Sequence, residues 1–320
     1  MQPLDDAVHS FLAGYFATCR RSQKTQAAYS IDLKQFENRF GQSIALDAVE
    51  ATALEAWAKE LTENGYAAVS VRRKFAAVRV FFKYWVRRGV LKESPLWRIR
   101  LDLATERRLP RALSADDALR LIKRAWEKVP QLPPADAKPN DRVFLALRDV
   151  AALELLFATG IRVGELVALN TGDWSECDRA FIVKGKDSRQ RVAVLPDNRS
   201  IECVKAYLSR RSPMLLGHDG LLVSASGTRL STQGVARVLA KIAETAGITI
   251  RVTPHMLRHT VATLLLRNGA DIRVVQEVLG HASISMTERY THVTKEHLRS
   301  ELQLHHPSNH QIVVVPQLRA

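Results

Sequence analysis

The sequence predicts a mainly α-helical chain in two parts: an N-terminal four-helix domain, then a larger, mostly helical domain with a small antiparallel β-sheet. Three observations carry this. Apolar residues recur at helical spacing through residues 1–95. A Ser94-Pro95 break and a basic stretch follow. Strand-like runs begin only after Trp174.

In the first part, "DDAVHSFLAGYFAT" has helical periodicity, and so does "TQAAYSIDLKQFENRFG", with Ala28, Ile31, Phe36 and Phe40 on or near one face. "ATALEAWAKELTENG" closes on Asn64-Gly65, a left-handed stop. "SVRRKFAAVRVFFKYWVRRG" then turns Val71, Phe75, Val78 and Phe82 inward and leaves Arg72, Arg73, Lys74, Arg79 and Lys83 as a basic surface. "WRIRLDLATERRLPRAL", with Arg107, Arg108 and Arg111, reads as an exposed basic linker.

The second part opens at Ser114, whose S-x-x-D pattern with Asp117 is a capping-box variant. A Pro-rich loop (127–141) precedes the helix "RVFLALRDVAALELLFATG". "RAFIVKGKDSRQRVAVLP" is a hairpin with a charged turn. "NRSIECVKAYLSRR", "STQGVARVLAKIAETAG", "TPHMLRHTVATLLLRNG" and "DIRVVQEVLG" are helical, and the terminal "QIVVVPQLRA" is strand-like. The expected boundaries are a helical domain at 1–97, a linker at 98–112, a main domain at 113–304 and a tail at 305–320.

Composition narrows the function. Of 320 residues, 46% are hydrophobic, which suits a folded chain. Forty-seven Lys and Arg against 33 Asp and Glu give a net charge of +14. Clustered as they are, these charges suit a polyanionic partner, because each phosphate they neutralise releases a condensed counterion. Cys19, Cys177 and Cys203 form no CxxC pair and point to a reducing compartment. No apolar run reaches the ~18 residues of a membrane span, and the acidic start does not resemble a signal peptide. A soluble, intracellular protein is expected.

Three segments carry candidate chemistry. In "TPHMLRHTVATLLLRNG", Thr253 is an N-cap and Pro254 the first helical residue, so His255 lies in the first turn with Arg258 on its face. Outward backbone N–H groups there favour an anion, so together these groups make a good phosphate cradle; the plainer reading pairs Arg258 with a carboxylate and leaves His255 a surface histidine. His255 and His259 could instead be read as a metal pair, but Met256 replaces the glutamate of the zinc-peptidase motif and Arg258 adds a cation; no metal or cofactor is expected. In "ATGIRVGELVALN", Arg162 has Glu165 three residues on, which reads either as a surface salt bridge or as a carboxylate placed to hold its guanidinium. In "VKGKDSRQR", Lys186 sits at the hairpin turn, where by itself it reads as solvated charge. "LGHASISMTERYTHV" adds His281 after a Gly280 turn, and Tyr290, which alone reads as a packing residue.

Taken together, "ATGIRVGEL", "KGKDSRQRVAVLP" and "TPHMLRHTVATLLLRNGADIRVVQEVLGHASISMTERYTHV" resemble the signature of the tyrosine recombinases, or phage integrase family, most closely the Xer type. The likeness covers most of residues 110–300; the N-terminal helices fit the family's DNA-binding domain more loosely. It implies that Arg162 and Arg258 hold the scissile phosphate, with Lys186, His255 and His281 completing the catalytic set. Tyr290, nine residues after His281, becomes the nucleophile, and Glu165 a support for the first arginine. It further implies double-stranded DNA with inverted-repeat sites as partner, a homo- or hetero-tetramer on DNA, possible accessory proteins, and strand exchange through a 3′-phosphotyrosine and a Holliday junction without metal or ATP. A topoisomerase IB-like transferase and a non-catalytic DNA-binding accessory protein are the alternatives. The chain departs from the family in its long 127–141 loop, in Val261 where an aromatic is frequent, and in its tail beyond Leu304. Leu298 and Leu302 form a stripe that either docks on a neighbouring protomer or packs on its own domain.

Overall fold

Helix periodicity and stop residues set most element boundaries, and the expected mainly helical architecture with one small antiparallel sheet is what forms. The computed structural model describes residues 2–19, 23–97, 99–101, 112–129, 141–185, 190–211, 216–280 and 295–310. Outside them lie most of the basic linker with Arg107, Arg108 and Arg111, the bulk of the Pro-rich loop, Lys186, His281, Tyr290 and the strand-like ending. The chain divides into two compact units, residues 1–108 and 109–320.

The first unit contains α1 (Leu4–Thr18), α2 (Gln23–Phe40), α3 (Ala51–Glu63) and α4 (Ala68–Arg87). Its core joins aromatic rings to leucines and valines. Phe81 meets Phe11 edge-on at 5.5 Å, and Trp57 lies against Phe75 at 5.0 Å. Val71, Phe75, Val78 and Phe82 are buried as their spacing requires.

Two expectations fail where α2 meets α4. Lys74 does not belong to the basic surface. It is buried, 2% exposed, with its Nζ 3.3 Å from the fully buried Asp32 and bonded to Gln35. Arg73 reaches the other Asp32 oxygen at 2.5 Å and stays half-exposed. A buried carboxylate demands a cation beside it, and only α2–α4 packing brings Lys74 there. Ile31, placed near the apolar face by periodicity, is 58% exposed; Leu33 and Phe36 fill the core from α2.

The second unit surrounds α6 (Arg142–Thr159), which is buried almost throughout from Phe144 to Thr159. That explains its near-continuous apolar run: a helix packed on every side has no polar face. Packed against it are α5 (Ala115–Trp126), α8 (Asn198–Arg211), α9 (Thr232–Thr245) and α10 (Pro254–Arg267). Ser114 caps α5 as expected, its Oγ accepting from Asp117 N–H at 3.0 Å. The sheet runs β1 (Trp174–Ser175), β2 (Ala180–Lys184), β3 (Gln190–Val194), antiparallel throughout, with Val183 opposite Arg191. Short α7 (Val163–Leu166) precedes the sheet, and α11 (Ile272–Leu279) follows α10.

The described residues close with α12 (Lys295–His305) and α13 (Pro307–His310). Leu298 and Leu302 are 6% and 1% exposed and belong to the core of their own unit, so the stripe packs in cis. Packing continues past Leu304. Asn268 donates to the His305 carbonyl at 2.9 Å, and His306 is fully buried with its Nε2 3.2 Å from the Phe157 carbonyl.

Candidate active site

The site is built on two left-handed turns. α6 ends at Gly160 with φ +58°, and α11 ends at Gly280 with φ +61°. Both conformations suit a residue without Cβ. The turns pack closely: a Cβ on Gly160 would lie 2.7 Å from Leu279 Cδ2.

Two arginines fasten these turns together. Arg258, one turn into α10, donates from Nη1 to the Gly160 carbonyl at 2.6 Å and from Nη2 to the Leu279 carbonyl at 2.5 Å. Arg162 follows the first turn and donates from Nη2 to the Gly280 carbonyl at 3.1 Å. The carbonyls ending α11 carry partial negative charge, which draws both guanidiniums. Leu279 and Gly280 immediately precede His281.

Glu165 bonds to Arg162 through both of its oxygens. One oxygen accepts from Arg162 Nη1 at 2.9 Å and the other from Arg162 N–H at 3.1 Å. The carboxylate therefore fixes both the main chain and the fork of the arginine. Arg162 itself is about half-exposed, 47% for the side chain, while Glu165 is 10% exposed. Arg258 is buried at 6%. Burial, reinforced by Arg162 and Arg191 and opposed by Glu165, lowers its pKa to about 10, so it stays cationic at neutral pH. Cations crowded in this way gain most from an arriving anion.

Sequence reasoning missed Arg191. It stands on β3 opposite the buried Val183, and its Nη2 donates to Glu165 Oε2 at 2.6 Å. Burial lowers its pKa, with Glu165 opposing and Arg162 adding to the effect. The available signal was period-two alternation, which puts a charged residue on the inward face of a strand.

His255 occupies the first turn of α10 and is exposed; Thr253 Oγ1 caps that helix from Met256 N–H at 3.2 Å, and Pro254 takes the first position, as expected. The structure thus brings Arg162, Glu165 and Arg258 together around the Leu279–Gly280 turn. Lys186, His281 and Tyr290 lie outside the described residues. In the first unit, α4 exposes Arg72, Arg73, Ala76, Arg79 and Lys83 on one face. Beside it, a cleft of about 710 Å³ is lined by Arg79, Lys83, Arg87, Lys92 and Trp97, the last 84% exposed. Among the described residues, no helix is long and apolar enough to cross a membrane.

The model of the phage integrase family matches residues 127–297, and that of the phage integrase N-terminal SAM-like domain matches residues 8–89. The tyrosine recombinase XerC of Listeria innocua serovar 6a is 35% identical over 293 residues, covering 89% of this chain and 92% of that protein. XerC of Pelotomaculum thermopropionicum is 32% identical over 314 residues, covering 94% and 97%. In fold, the chain resembles the XerH site-specific recombinase crystallised with difH substrate, with TM-score 0.70 at 19% identity over 88% of this chain and 92% of that one. Two matched domains, relatives spanning nearly the whole chain, and a pair of arginines meeting at one turn lead to one placement: the chain belongs to the phage integrase family, the tyrosine recombinases.

Proposed function

We propose that this protein is a site-specific DNA recombinase that cleaves and rejoins duplex DNA through a 3′-phosphotyrosine. The observation that carries the reading is the meeting of Arg162 and Arg258 at the Leu279–Gly280 turn, directly ahead of His281. Attack on a phosphodiester places extra negative charge on a five-coordinate phosphorus. Fixed guanidiniums stabilise that charge without reorganising. Arg162, held by Glu165, and Arg258, held by two carbonyls, take the non-bridging oxygens, and His255 and His281 add donors.

Tyr290 attacks phosphorus and forms the phosphotyrosine bond as the bond to the 5′ oxygen breaks. Lys186 protonates that departing oxygen, with His255 assisting proton transfer. The freed 5′-hydroxyl of a partner duplex then attacks the phosphotyrosine and releases the phenol, so one phosphoester replaces another and no external energy source is needed. Two rounds of exchange pass through a Holliday junction. The basic face of α4 (Arg72, Arg73, Arg79) and the linker arginines Arg107, Arg108 and Arg111 bind duplex DNA carrying inverted-repeat sites. Four protomers, of one kind or two, work on two such sites in the cytoplasm, with accessory proteins setting the outcome.

The test begins with a binding site selected from a pool of randomised duplexes. A nicked duplex carrying that site should trap a covalent adduct with the protein, and Tyr290→Phe should abolish the adduct with binding retained. An adduct that persists in Tyr290→Phe refutes the nucleophile. A supercoiled plasmid bearing two sites should yield recombinant circles; relaxation without exchange would identify a topoisomerase instead.

A further inference from the structure

Glu165 is shared by two arginines, and only Arg162 has a place in the reaction described above. Arg191 takes the Glu165 Oε2 atom at 2.6 Å, the same oxygen that receives the Arg162 main-chain N–H at 3.1 Å. Its side chain is 11% exposed. The stem runs against the second turn of the site: a Cβ on Gly280 would lie 2.6 Å from Arg191 Nε and 2.8 Å from its Cδ. Its Nη1 is buried without a hydrogen-bond partner among the described residues. An inward-facing charged residue with an unsatisfied donor weakens a fold, and such groups concentrate at functional sites.

We infer that Arg191 is a positioning residue for the reaction, acting through Glu165 to hold Arg162 in its phosphate-binding pose and to keep the trio's net charge positive. A carboxylate paired with Arg162 alone would cancel the charge meant for the phosphate and could swing with the half-exposed arginine. A second guanidinium on the same carboxylate fixes its plane and restores one positive charge. Because the Arg191 stem also fills the space left by the absent Gly280 side chain, one residue bridges β3, Glu165 and the turn ahead of His281. The inference rests on the assignment of Arg162 to the phosphate.

The experiment compares the full-length wild type with Arg191→Met, Arg191→Lys, Glu165→Gln, the Arg191→Met/Glu165→Gln pair and Arg162→Ala. Each is read for binding to the selected duplex, single-turnover adduct formation on its nicked form, and melting temperature. Arg191→Met should slow adduct formation by about a hundredfold, the scale of a misplaced reacting group, with binding nearly unchanged. Arg191→Lys should recover part of the rate, and the double variant should be no slower than its slower single parent. On a nicked duplex with a methylphosphonate at the scissile position, which carries no negative charge to neutralise, the Arg191→Met defect should shrink. A purely structural role would leave the defect equal on both substrates, or lower binding, melting temperature and rate together; either result overturns the inference. So does wild-type cleavage by Arg191→Met, or a double variant whose loss is the product of its parents'. If Arg191→Met does not fold, the same comparisons are read on Arg191→Lys, and a wild-type rate with an unchanged methylphosphonate ratio overturns the inference there. Arg162→Ala separates the two levels. Wild-type cleavage by that variant removes the phosphate assignment itself, whereas its inactivity beside a fully active Arg191→Met removes only the inference.

Discussion

Gly160 turns left-handed at the end of α6, and its carbonyl accepts from Arg258 Nη1 at 2.6 Å. An alanine there would adopt φ +58° with its Cβ 2.7 Å from Leu279 Cδ2. The left-handed conformation alone costs a non-glycine residue about 1–2 kcal/mol. Gly160→Ala should therefore lower stability by at least that amount in thermal unfolding. It should also cut adduct formation more than about tenfold, because the displaced carbonyl no longer holds Arg258, the arginine we propose takes the phosphate. Arg258→Lys tests the same contact from the other side. One ammonium cannot span the two carbonyls that the planar fork reaches, so the variant should retain its charge and lose most of its cleavage in the adduct assay.

On α4, two basic residues five positions apart have opposite duties. Lys74 sits 3.3 Å from Asp32 inside the α2–α4 interface, while Arg79 is exposed. Removing Lys74 leaves one Asp32 oxygen and the Gln35 amide oxygen without their donor, while Arg73 still holds the other Asp32 oxygen. Lys74→Ala should thus destabilise the first unit by about 1–3 kcal/mol in denaturant titrations, the cost of buried acceptors left unsatisfied. Arg79→Ala should change stability by less than about 0.5 kcal/mol, since it removes no buried contact. It should instead weaken duplex binding and reduce the slope of log affinity against log salt by about one. Binding measured at several salt concentrations separates the two. If Arg79→Ala leaves the slope unchanged, that face of α4 does not carry phosphate contacts.

For the second unit as a whole, the residue that follows α12 is part of the core. His306 is fully buried, and its Nε2–H donates to the Phe157 carbonyl. Burial lowers its pKa to about 4; Asp197 and that carbonyl pull it upward, and Arg199 pushes it down. An unfolded histidine titrates near 6.5, so between these values the unfolded chain binds a proton that the folded unit refuses. Stability is therefore fully present above pH 6.5 or so and falls as the pH drops toward 4. The expected loss between pH 7 and pH 5 is about 2 kcal/mol. Denaturation midpoints at the two pH values should show it, and His306→Gln should flatten the difference. An equal slope in both proteins would mean that another group dominates the acid response.

Much of this protein is determined locally and was legible in the order of its residues. Helix starts and stops followed from caps at Ser114 and Thr253 and from glycines such as Gly160 and Gly280, because those preferences act over a few residues. The family followed from the spacing of Arg162, Arg258 and the segment reaching Tyr290, since chemistry at a phosphate leaves little freedom in residue type. Periodicity could not say which of several neighbouring side chains would meet a buried partner on another helix. Tertiary packing alone moved Lys74 inward to Asp32 and left Ile31 in solvent. It also packed Leu298 and Leu302 on their own unit and added Arg191 to the Glu165 pair. A charge commits to the interior only when packing supplies its counter-charge, and that pairing joins residues far apart in the chain.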